Sequence, residues 1–116
     1  VVGLASICDL LAARRRAVGG RSVDHFVATA HSPKAALRDA SPDEHLPVGV
    51  AQLMVHTEDD RHVPPAQTRK HVAEARKAGD EVEFLEVRSG GHFSLIDPTS
   101  AAWADVATRI LARLGG

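Results

Sequence analysis

Apolar residues are spread unevenly along this chain, and their spacing divides it into elements. The segment 48–56, VGVAQLMVH, follows Pro47 and is almost continuously apolar. Such a run suits a strand covered on both faces, the kind found in parallel sheets between helices. Pro64-Pro65 then opens a helix at the position where missing N–H groups cost nothing, and Gly79 stops it just after Ala78. Arg69, Lys70, Glu74, Arg76 and Lys77 mark its exposed face. Segment 81–87, EVEFLEV, alternates at Val82 and Phe84, but Leu85 interrupts the alternation, which predicts a strand buried on most of its length. The clearest helix is 99–114: Trp103, Val106, Ala107, Ile110, Leu111 and Leu114 recur at three- and four-residue spacing as one apolar stripe facing a sheet. From residue 47 onward the order is strand, helix, strand, helix, which predicts a parallel sheet with a right-handed crossover.

The first 45 residues read differently. Val1-Val2 is the tail of a strand, and Gly3 to Ser6 the turn off it. Segment 9–18 is a short helix with Asp9 as cap and Gly19-Gly20 as stop. Segment 22–29 is another, anchored by Phe26, and Ser32-Pro33 opens a third that ends before Ser41-Pro42. Arg14, Arg15 and Arg16 point in different directions around a helix and read as a solvated face. These helices form a connecting excursion over one face. The chain 1–116 is thus one α/β domain, with a strand end and helical connection over 1–45 and a βαβα unit over 46–116.

Composition narrows the partners. With 14 basic and 15 acidic residues the net charge is −1, which offers no electrostatic footprint for nucleic acid or an anionic membrane. The hydrophobic share of 44% is that of a globular protein. Cys8 is the 1 cysteine, so no intrachain disulfide can form. With no signal-peptide pattern and no membrane-length apolar run, a cytoplasmic location is expected. The chain opens without methionine on residues of buried type, and is expected to be a piece of something longer. Cys8 lies outside any Cys–His sequence arrangement and is expected to be buried and inert.

In an open parallel sheet, chemistry sits at the carboxyl ends of the strands. Asp60 follows His56, the expected end of the first strand, and His92 follows Val87, the expected end of the second. Adjacent strands lie about 5 Å apart, so loops this short can bring the Asp60 carboxylate against the His92 imidazole. A carboxylate on one ring nitrogen orients the ring and stabilises the imidazolium formed when the other takes a proton. Gly90-Gly91 gives the backbone freedom to present His92 at a sharp turn. His56 reads as structural, and His62 and His71 as surface residues. His56, Glu58, Asp59, Asp60 and His62 are possible metal ligands in type, but their spacing matches no metal motif.

The stretch HTEDDRHVPPAQ, followed after a helix and a strand by SGGHFSLIDP, resembles the C-terminal part of an α/β-hydrolase. Within that fold it is most similar to the esterase, kynurenine-formamidase-like and prolyl-oligopeptidase-like branches. Their pattern is His-Gly-x-x-Asp-x-x-Val-Pro and then Gly-His-Phe, matched here by His56, Asp60, Val63, Pro64, Gly91, His92 and Phe93. Thr57 stands where the pattern has glycine, which predicts a different turn before Asp60. The resemblance covers residues 46–114, and 1–45 only loosely. It implies Asp60 as triad acid, with Asp59 the rival, His92 as general base, and hydrolysis of a small ester or amide by acyl transfer without a cofactor. The nucleophile elbow Gly-x-Ser-x-Gly is absent from these residues, since GLAS at 3–6 lacks the framing glycines. The serine and the oxyanion donors are therefore expected from an upstream half, and this chain alone is expected to be inactive. Two rivals remain: a non-catalytic interaction module that pairs with that half or a second copy through an open sheet edge at Val1-Val2, and a metal-dependent hydrolase built on the acidic loop.

Overall fold

The computed structural model describes residues 1–115. Three strands, β1 (Val2–Leu4), β2 (Gln52–Thr57) and β3 (Val82–Val87), form a parallel sheet in the order β1-β2-β3. Helices α1 (Leu10–Arg15), α2 (Ser22–Phe26) and α3 (Pro33–Ala40), with a 3₁₀ turn at Pro42–His45, connect β1 to β2. Helix α4 (Pro65–Lys77) connects β2 to β3, and a 3₁₀ turn at His92–Ile96 leads to α5 (Ala101–Leu114). Among the described residues, no helix is long and apolar enough to cross a membrane.

Every residue of β2 is buried, as its continuous apolar run predicts. Its two faces pack against different layers. Leu53 and Val55 join Leu95, Ala102 and Val106, so this face meets α5 and the turn before it. Met54 joins Cys8, Val72, Ala75 and Val82, so the other face meets α4. Strand β3 follows the same rule: Leu85 and Val87 border the first cluster and Phe84 the second. Glu83 reaches Arg109 and Arg113 on α5, while Glu86 reaches Arg69 on α4. The break in its alternation thus reflects two covered faces.

Strand β2 does not begin at Pro47: residues 48–51 are not strand, the N–H groups of Val48 and Gly49 donate to the Asp80 carboxylate, and Val48 and Val50 are exposed. Only Val82 of β3 is buried, because β3 is an edge strand. Gly3 and Leu4 belong to β1 and pair with Met54 and Val55 instead of forming a turn. Phe26 is exposed, and Val23 and Val27 anchor α2 in a small cluster with Ala13, Leu37 and Val63. On α5, Ala102, Trp103, Val106 and Ile110 face the sheet, but Leu111 and Leu114 do not, being exposed over 66% and 78% of their area. In the last turn of α5 it is Arg113 that faces the sheet, bonded to Glu83 and to Gln52 O.

The buried face of α4 is largely polar, since it carries Gln67, Thr68 and His71 beside Val72 and Ala75. Each polar group has a partner, as burial requires. Gln67 exchanges two hydrogen bonds with the backbone of Asp9, the residue that also caps α1. Thr68 bonds His56, and His71 lies between Asp43 and Gln52. His71 is therefore interior, not the surface residue its charged neighbours in sequence suggested. The Asp43 carboxylate, with Cys8 beside it, raises its pKa to about 9 against the opposing effect of burial.

Leu53 is fully buried at the centre of the sheet. Leu53→Ala is expected to destabilise the fold by about 2–5 kcal/mol through lost burial and the cavity left behind. Urea unfolding followed by circular dichroism will show this as a lower midpoint with an unchanged slope.

Candidate functional site

The site begins where β2 and β3 end together. Thr57 pairs with Val87, and Glu58 N–H continues the ladder by donating to Val87 O at 2.8 Å. The loops after the two strands therefore start side by side. Thr57 is itself the last strand residue and wholly buried, so the turn opens only after it, at Glu58 and Asp59.

Asp60 closes this turn with its side chain. Its Oδ1 accepts from the N–H groups of His62 and Val63, both at 2.8 Å. Its Oδ2 faces His92 Nδ1 at 2.7 Å. A carboxylate oxygen only accepts, so Nδ1 carries the hydrogen and Nε2 presents its lone pair. Burial by itself would raise the Asp60 pKa, but the Val63 N–H, His92 and the His62 N–H together hold it below the ordinary value. Asp60 is 8% exposed, and the His92 side chain 24%. The carboxylate is thus an enclosed anion, while the imidazole it orients reaches solvent.

Asp59 has a different task. Its two carboxylate oxygens accept from Gly90 N–H at 3.1 Å and Gly91 N–H at 2.9 Å, so it holds the backbone of the histidine loop and not the ring. Both glycines have positive φ, and a Cβ on Gly90 would come within 2.8 Å of Ser94 Oγ. This turn needs glycine at 90 for conformation and for space. Ser94 Oγ donates to Gly91 O at 2.7 Å and pins the 3₁₀ turn that carries His92.

His56 supports the acid from below. It is fully buried, with Nε2 at 2.9 Å from Val63 O and 3.2 Å from Asp60 Oδ2, and Nδ1 at 2.7 Å from Thr68 Oγ1. The Val63 carbonyl can only accept, which places a hydrogen on Nε2 and directs it toward the acid loop. The five loop residues considered as metal ligands do not gather around one point. Among the described residues, the His, Cys, Asp and Glu groups close enough to share an ion are Cys8, Asp43 and His71, at the other end of β2.

His92 opens onto a shallow cleft of about 410 Å³ lined by Asp59, Arg61, His62, Gly90, Gly91 and Phe93. His62 and Phe93 flank the ring, with centroids 5.3 and 4.9 Å from that of His92. Phe93 is 62% exposed. His62 is exposed, as expected, but its place beside His92 was not legible: it follows from the Asp60 turn, which folds the chain back within two residues.

No family model matches the chain, and no curated protein does. Solved structures do. An acylaminoacyl peptidase in complex with Z-Gly-Gly-Phe-chloromethyl ketone superposes with a TM-score of 0.75 at 19% identity, covering 97% of this chain and 19% of that one. The Pyrococcus horikoshii acylaminoacyl peptidase, in an orthorhombic crystal form, gives 0.71 at 18% identity, with 97% and 19% covered. The chain spans about a fifth of their length.

The geometry carries a pH prediction. The folded-state pKa of Asp60 lies below that of a free aspartate. Its contribution to stability is therefore fully present above the unfolded pKa and is lost as pH falls through the folded value. Denaturation midpoints measured from neutral to acid pH should fall less steeply for Asp60→Asn than for the wild type over that acid range, and an unchanged slope would count against the assignment. The parallel order of the strands, the loops at their carboxyl ends and these superpositions give the chain the fold of the C-terminal part of an α/β-hydrolase.

Proposed function

We propose that this chain supplies the acid and base of a serine hydrolase that cleaves ester or amide bonds of small substrates by acyl transfer. The observation that carries the reading is the bond from His92 Nδ1 to Asp60 Oδ2, with Asp60 otherwise saturated by its own loop. In this mechanism His92 Nε2 takes the proton of a serine hydroxyl as its oxygen attacks the carbonyl. The imidazolium, stabilised by Asp60, then protonates the leaving alcohol or amine. Water repeats the sequence on the acyl-enzyme and restores the serine. Asp59 positions the loop, and Phe93 and His62 offer an apolar and aromatic wall to the substrate.

The serine in this reading comes from a segment outside these residues. The free edge of β1 supports a place for it. Among the described strands β1 pairs only with β2, and Val1, Val2, Val48 and Val50 beside it are exposed. An uncovered apolar edge of this kind is a template for a further strand.

The test is labelling with a fluorophosphonate probe, read by intact mass. The chain alone should take no adduct. Joined to or mixed with the serine-bearing segment, the assembly should be labelled on that serine, and His92→Ala should reduce labelling to background. Asp60→Asn should lower kcat by about four decades, and Asp59→Asn by much less. Labelling that survives His92→Ala would overturn the reading, and a larger loss from Asp59→Asn would move the acid. Self-association of the chain, with no labelling even when the serine-bearing segment is present, would favour an interaction module instead.

A further inference from the structure

Cys8, Asp43 and His71 come from three separate segments: the loop after β1, the 3₁₀ turn before β2, and α4. Each turns one donor atom inward, and these atoms all lie within 4.8 Å of one another. Cys8 and His71 are each 2% exposed, and the Asp43 side chain 9%. Three buried groups able to bind a cation have thus been gathered away from Asp60 and His92.

Their positions are set by bonds that do not involve the donor atoms. Asp43 N–H donates to Cys8 O at 3.0 Å, which fixes the 3₁₀ turn against the loop. Gln67, one turn before His71, is joined to the backbone of Asp9 by two hydrogen bonds of 3.1 Å. The His71 ring is oriented from behind: its Nε2 lies 2.8 Å from Gln52 Oε1, and the Gln52 amide nitrogen donates to Asp80 Oδ2 at 3.2 Å. The amide oxygen can only accept, so Nε2 carries a hydrogen; Asp43 Oδ1, 2.6 Å from Nδ1, also only accepts, so Nδ1 carries a hydrogen that a bound ion would replace. A ligand histidine fixed through its second nitrogen is the usual support of a metal centre. Asp43 Oδ2 is buried and accepts no hydrogen bond, with Lys70 Nζ 3.4 Å away. Finally, a cavity of about 230 Å³ reaches both Cys8 and His71 past Ser6, Gln52 and Met54. It provides room for a fourth ligand.

We propose that Cys8, Asp43 and His71 form a three-ligand site for a zinc-type divalent cation, with its fourth position facing this cavity. One thiolate, one imidazole and one carboxylate form a borderline-soft donor set that suits zinc and not magnesium or calcium, which take oxygen ligands. Around a tetrahedral zinc at bond lengths of about 2.0–2.3 Å the ligand atoms stand roughly 3.3–3.7 Å apart, so His71 Nδ1 and Asp43 Oδ1, 2.6 Å apart in their hydrogen bond, would move apart as the ion enters between them. Binding releases the thiol proton of Cys8 and the proton of His71 Nδ1 to solvent, and Asp43 exchanges its hydrogen bond from that ring for the ion. The bound ion would join the β1 loop, the 3₁₀ turn and α4. The inference does not rest on the proposed hydrolase chemistry.

The test is titration of the metal-free chain with cobalt, followed by displacement with zinc. The expected result is saturation at one equivalent with a thiolate-to-cobalt charge-transfer band that zinc abolishes, and a higher Tm with zinc. Cys8→Ser should remove the band, Asp43→Asn should weaken zinc binding, and Gln52→Ala should weaken it by about 10- to 100-fold through the orienting bond. Circular dichroism identifies which variants fold, and the near-isosteric Asp43→Asn keeps the test decisive if Cys8→Ser does not. No saturable binding, or equal affinity in every folded variant, would overturn the proposal.

Discussion

The parallel pairing of β2 with both of its neighbours is the constraint on which the rest depends. It buries all of β2 and leaves one face to α4 and the other to α5. Because Thr57 pairs with Val87, the two strands end at the same level, and the loops that follow are neighbours from their first residue. A shift of register would separate Asp60 from His92 and also turn each face of β2 toward the wrong helix, since side chains alternate across a strand. Site geometry and core packing are thus specified by one set of backbone bonds.

Two carboxylates next to each other in sequence divide the work of the site. Asp60 spends one oxygen on its own turn and the other on the imidazole, while Asp59 spends both on the backbone of the opposite loop. The first arrangement orients a ring, and the second fixes the loop from which that ring projects. Neither depends on long, flexible side chains, so the pair is held with little residual freedom. His56 adds a buried ring whose position ties the acid loop to Thr68 on α4.

Helix α4 explains how so small a sheet holds a polar interior. Its buried face sends Gln67 to the first helix, Thr68 to the strand below the candidate site, and His71 to the opposite end of that strand. These bonds do what an apolar stripe does elsewhere, but with direction: each partner is matched donor to acceptor, and the helix can sit in one rotation only.

The sequence by itself determined the elements from β2 to α5 and the meeting of Asp60 with His92. Those elements are long enough for a period to register, and the two loops are short enough that adjacent strands bring them into reach. The turn chemistry of Gly90-Gly91 was readable for the same local reason. What covers each apolar face was decided only by the tertiary structure. Periodicity shows that Leu111, Leu114, Val48 and Val50 are apolar, but not that the fold leaves them exposed. Helices α1 and α2 are too short for a period to identify Val23 and Val27 as anchors in place of Phe26. His71 beside Lys70 looks solvated in sequence, and Cys8 has no histidine near it along the chain. Their contact arises from packing between segments far apart in sequence, which no local pattern encodes.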